Sequence, residues 1–113
     1  MSGVWCRGAV VAALSLLLAG FGFAQEPDFA AAGRELFVKG VPGQVNCALC
    51  HALVDAGTSG AIGPNLNELR PEADEVEKAM REGLGPMPAF TWLSEQQIGL
   101  LARYVEWASR RQP

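Results

Sequence analysis

Before Asp28 the apolar residues of this chain form one block, and after it they fall into spaced sets. Gly8 to Phe23 is almost wholly apolar, with Ser15 its only hydroxyl. Later, apolar positions recur every three or four residues, the period of a helix with one buried face. The first such stretch predicts a helix from about Asp28 to Val38. Pro27 and Asp28 suit its start, Gly33 and Phe37 share a face, and Gly40-Val41-Pro42-Gly43 stops it. A second helix is predicted over Pro71 to Glu82, with proline in the first turn, Glu72, Asp74 and Glu75 near the N-terminus, and Gly83 as the cap. Ser94 opens a last helix, and Gln97 completes an S-x-x-Q capping box. Ile98, Leu101, Tyr104 and Val105 make its stripe, with Trp107 and Ala108 beyond. A short helical turn is expected over Cys47 to His51, followed by a loop containing Gly57, Ser59, Gly60, Gly63 and Pro64. Gly85-Pro86-Met87-Pro88 cannot be helical. No stretch reads convincingly as a strand. The expectation is an all-α domain of about four helical segments joined by Gly/Pro loops.

The early apolar block reads differently. Arg7 precedes it, and Gly22-Phe23-Ala24 follows with small residues at both recognition positions of a cleavage site. Residues 1–24 are therefore expected to be a secretory signal peptide cut after Ala24. The block is short for an uncleaved membrane anchor, which needs about 20 residues. Cys6 lies before it and would leave with it. Residues 25–113 would then form one small domain in an oxidising compartment. The full chain carries a formal charge of −3, and loss of Arg7 makes it more acidic. Such a chain has no reason to bind nucleic acid, and a basic partner surface suits it better. A domain this small has a marginal core, which a buried cofactor would enlarge.

Chemistry concentrates in Cys47-Ala48-Leu49-Cys50-His51, the C-x-x-C-H signature for attachment of c-type haem. Two thiols at this spacing can add to two neighbouring vinyl groups, and the adjacent imidazole can then reach the iron. With 3 Cys and 1 His in 113 residues, a chance match is rare. His51 is the sole histidine, so a second imidazole ligand from the same chain is excluded. Met87 is the best candidate for the distal position, because the prolines around it bias the backbone to a rigid, extended form. Met80 fits a core residue better, being inside an amphipathic helix, and Met1 goes with the signal. The carbonyl of Pro64 could accept a hydrogen bond from the free ring nitrogen of His51. Three competing chemistries use the same residues. Cys47 and Cys50 could serve as a thiol–disulfide oxidoreductase with Cys47 as nucleophile, although that would call for a β-sheet scaffold. Zinc is weaker, since adjacent Cys and His rarely both reach one tetrahedral ion. A haem-based sensor would need an open distal site.

Taken together, these residues resemble a class I c-type cytochrome of the small bacterial monohaem kind, over nearly the whole of residues 25–113. Gly33 and Phe37 match the family's Gly–aromatic pair on the first helix, and Leu101 and Tyr104 the aliphatic–aromatic pair on the last. Cys47, Cys50 and His51 match its haem site. Gly63-Pro64-Asn65-Leu66 matches the proximal loop, and Met87-Pro88-Ala89-Phe90 the distal methionine segment. The resemblance implies four helices around one covalent haem c, with iron held by His51 and Met87. It implies a periplasmic one-electron carrier rather than an enzyme. It also implies redox protein partners, namely a donor dehydrogenase, sulfite dehydrogenase included, and an oxidase or another cytochrome as acceptor. One departure stands out. Phe37 and Cys47 are ten residues apart, where short family members have about four. Val38 to Asn46 therefore reads as an insertion beside the haem segment, placed to form one wall of a partner contact.

Overall fold

The computed structural model describes residues 25–111 and the isolated positions 2, 3, 20 and 22. Those four positions apart, the expected signal peptide over residues 1–24, including Cys6, lies outside the described residues. Helix α1 spans Asp28–Lys39, one residue past the sequence expectation, with Gly40 closing it at a φ of 63°. A 3-10 turn over Cys47–Leu49 follows. Two paired two-residue strands come next, β1 (Ala52–Leu53) and β2 (Thr58–Ser59), antiparallel with Ala52 opposite Ser59. The sequence reading held no strand here, because two residues are too few for an alternating pattern. The pair forms because the Thr58 hydroxyl accepts from Leu53 N–H at 3.1 Å and donates to the His51 carbonyl at 2.9 Å. A one-turn helix α2, Leu66–Leu69, was also unexpected, and Asn65 starts it by accepting from Asn67 N–H. Helix α3 spans Ala73–Glu82. Pro71 precedes it rather than sitting in its first turn, and Glu72 and Glu75 supply a reciprocal capping box. Helix α4 spans Glu95–Ser109 and starts on the expected Ser94/Gln97 box.

Helices α1 and α4 pack against each other where a glycine removes the obstacle. A Cβ placed on Gly33 would lie 2.4 Å from Tyr104 Cβ, so only glycine lets the backbones come this close. Phe37 packs its ring edge-on to Tyr104, with centroids 5.9 Å apart. The core gathers Phe37, Leu53, Leu66, Met80, Phe90 and the inner face of α4. A polar lock closes its far side. The Tyr104 hydroxyl donates to the Asp55 carboxylate at 2.8 Å. The same carboxylate accepts a two-pronged contact from Arg34 at 3.0 and 2.9 Å. Burial, and then the bond to Asp55, raises the Tyr104 phenol above its ordinary range. Asp55 thus ties the β1–β2 turn to both crossing helices. Sequence reasoning passed over it, although a lone acid between apolar neighbours was a visible signal.

Candidate functional site

The 3-10 turn presents its two cysteines by local hydrogen bonding. Asn46 accepts from Leu49 N–H at 3.2 Å and starts the turn. Cys50 and His51 N–H both return to the Cys47 carbonyl, at 3.2 and 3.0 Å. The chain then folds back, and Gly63 N–H donates to the Cys50 carbonyl at 2.7 Å. Two glycines make this closure feasible. A Cβ on Gly60 would meet the Cys50–His51 peptide at 2.6–2.7 Å, and one on Gly63 would meet the His51 ring at 2.6 Å.

The imidazole is oriented by one bond. His51 Nδ1–H donates to the Pro64 carbonyl at 2.8 Å. A carbonyl only accepts, so Nδ1 carries a proton, and in the neutral ring the lone pair is then on Nε2. Asn67, which sequence reasoning passed over, supports this wall from behind. Its side chain accepts from Val54 N–H at 2.8 Å and donates to the Ser109 and Arg111 carbonyls at 3.3 and 3.2 Å. It joins the His51 side of the fold to the end of α4, a contact no local pattern announces.

The segment after α3 supplies a second wall. Gly83 turns the chain at a φ of 75°. Leu84 and Met87 exchange two backbone hydrogen bonds, each 3.0 Å, so Met87 sits in a closed turn. Phe90 N–H donates to the Met80 carbonyl at 2.7 Å and fixes the far end.

Between the two walls lies a cavity of about 350 Å³, within the range of buried ligand sites. All five residues singled out in the sequence line it: Cys47, Cys50, His51, Pro64 and Met87. The structure therefore brings together positions up to forty residues apart. Met80 also lines the cavity, but as a core residue only 1% exposed inside α3. Apart from Glu75, no lining side chain carries a charge. Ile62 and Leu84 on the lining are more than 70% exposed, so the cavity opens through an apolar rim.

The donor set fits haem c. Two unpaired thiols, an oriented imidazole and a thioether all line the cavity, and most of the remaining lining is apolar. The same arrangement counts against thiol–disulfide chemistry. Burial, with Cys50 beside it, pushes the Cys47 thiol up to about 12, whereas reactive cysteines are stabilised as thiolates. Among the described residues no group of three or more His, Cys, Asp or Glu could hold a metal ion by themselves.

Four helices around a cavity walled by C-x-x-C-H define a class I c-type cytochrome. Residues 28–105 match the family described as cytochrome c oxidase, cbb3-type, subunit III, and the chain belongs to it. It is also similar to the crystal structure of the c-type cytochrome SorU from Sinorhizobium meliloti. The identity is 45% and the TM-score 0.67, over 74% of this chain and 94% of that one. Comparison with the curated proteins found no match. The protein is an electron carrier that holds haem c covalently.

Proposed function

We propose that this chain is an exported one-electron carrier whose haem is attached through Cys47 and Cys50 and whose iron is held by His51 and Met87. The observation that supports the reading is that His51 and Met87 line one cavity, with the His51 ring turned by Pro64. When bound, haem c supplies a ferric/ferrous couple and needs no substrate pocket or general base. The residues tune it. Pro64 keeps the proton on Nδ1 and makes Nε2 the better donor. The Met87 thioether, a soft ligand, favours the ferrous form and raises the potential. The apolar lining disfavours the extra charge of the ferric form. Residues 1–24 act as the signal peptide, and the mature protein works in the periplasm.

Partners are a donor dehydrogenase, sulfite dehydrogenase among the candidates, and an oxidase or further cytochrome as acceptor. They dock at the apolar rim, where Val45, Ile62, Leu69 and Leu84 are exposed. The contact is small and brief, below about 1,200 Å², and depends little on salt because the rim is mostly uncharged.

Two measurements test the reading. The intact mass of the mature protein should equal residues 25–113 plus one haem, and haem extractable by acid–acetone would disprove covalent attachment. Met87→Ala should keep the haem, lose the low-spin His/Met spectrum and lower the potential. An unchanged spectrum and potential would transfer the ligand role to Met80.

A further inference from the structure

A second, much smaller cavity lies beside the first. Its volume is about 10 Å³, the space of about one water molecule. Gly40, Val41 and Asn46 of the loop after α1 line it together with Phe90 and Trp92 of the segment after Met87. The Trp92 Nε1–H is shielded from solvent and has no acceptor among the described residues. Such a donor is expensive to leave unpaired, and most are satisfied by protein or by ordered water.

The loop facing it is built as a tight pouch. Gly40 has a φ of 63°, and a Cβ there would lie 2.7 Å from Asn46 Cβ, so the two ends of the loop touch. Gln44 N–H donates to the Val41 carbonyl at 3.0 Å and closes the turn inside. Because α1 reaches Lys39, the loop within the expected insertion Val38–Asn46 is Gly40–Asn46. Besides the Trp92 indole, the lining carries the Asn46 side-chain amide, which already starts the turn that carries Cys47. Phe90 and Asn46 line both cavities. The Phe90 and Trp92 rings pack with centroids 5.0 Å apart. A displacement of Trp92 therefore bears on Phe90, and through it on the chain that holds Met87.

We propose that the small cavity binds one water molecule bridging Trp92 Nε1–H and the Asn46 amide, and that Trp92 and the Gly40–Asn46 loop are positioning elements for the Met87 segment. The second half of this rests on Met87 as distal ligand. The insertion then has a role inside the molecule, joining the haem-attachment turn to the distal segment.

A high-resolution crystal structure of the haem-loaded protein tests the water site directly. A water within about 3.2 Å of Trp92 Nε1 and of Asn46 supports it, and a dry cavity overturns it. Positioning is tested with added imidazole, which competes with the distal ligand for iron. Two variants are compared with wild type: Trp92→Phe, which keeps the ring and deletes the N–H, and a chain in which one glycine replaces Val41–Val45. The touching ends of the loop make that excision compatible with the fold. Each variant should bind imidazole about 3- to 10-fold more tightly, the scale of one hydrogen bond. Lower melting temperatures with imidazole affinity within about twofold of wild type would mean structural support only and would overturn positioning. Met87→Ala separates the two readings. If it binds imidazole no better than wild type, Met87 is not the ligand and positioning falls with it, while the crystal result stands by itself.

Discussion

On the wall that carries His51, the backbone closes upon itself between Asn46 and Asn67 through short-range bonds: Asn46 to Leu49, Cys47 to His51, Thr58 to His51 and Leu53, Gly63 to Cys50, Pro64 to the ring. On the wall that carries Met87, one small turn between Leu84 and Met87 is nearly self-contained, and the rest leans on α3 and on Phe90. The first wall is held mostly from within, with Asn67 and Asp55 tying it to the helices. The second is held by what it packs against. With His51 and Met87 holding iron as proposed, the densely bonded residue would keep its geometry in both oxidation states, and the lightly tethered one would let neighbours tune the potential.

Substitutions at three glycines probe this contrast. Gly63→Val should have the largest effect. Even a Cβ there would press on the His51 ring at 2.6 Å, and the ring is pinned by Pro64. Almost no covalently loaded protein should be recovered, as read by haem staining of denatured protein. Normal loading would show the proximal wall to be softer than its bonding suggests. Gly33→Val comes next and should affect both walls alike, since it drives α1 from α4. Overpacking of about 1–3 kcal/mol is expected, with melting lowered by about 4–8 °C for each of these. Wild-type melting would contradict the close crossing at Tyr104.

Gly83→Ala should act on the distal wall alone. The added Cβ would meet the Met87 carbonyl at 3.0 Å and Ala89 N at 3.1 Å, in a backbone conformation that side chains rarely adopt. About 1–3 kcal/mol of strain is expected, with haem still attached and the distal ligand weakened, so the spectrum should change while loading does not. Equal damage to loading from Gly83→Ala and Gly63→Val would erase the distinction between the walls.

The smallest effect concerns pH. Tyr104 is raised in the folded state by burial and by Asp55, while the unfolded phenol titrates near 10. Above that value the unfolded chain has lost a proton that the folded chain keeps, so stability should fall as pH rises from about 10 toward the folded value. Tyr104→Phe should flatten this alkaline limb while lowering stability at neutral pH. Identical alkaline slopes in the two proteins would rule out Tyr104 as the source.

The sequence alone determined what depends on neighbours along the chain. C-x-x-C-H is a single local unit, and its geometry follows from one turn of backbone. The capping box at Ser94 and Gln97, the stop at Gly40 and the stripe of α4 are set within a few residues, where spacing translates directly into position. The Gly33–Phe37 and Leu101–Tyr104 pairs were legible through family resemblance, and the crossing they predict is present. Tertiary structure decided the rest. It placed Met87 and Pro64 on the walls of the cavity that holds His51, which spacing permitted but could not require. It made the β1–β2 pair and α2, both too short to leave a periodic signal and held mainly by Thr58, Asn65 and Asn67. It gathered Asp55, Arg34 and Tyr104 into one lock, and it set the inserted loop against Trp92. Each of these joins residues distant in the chain, and a pattern read along the sequence carries no distance between them.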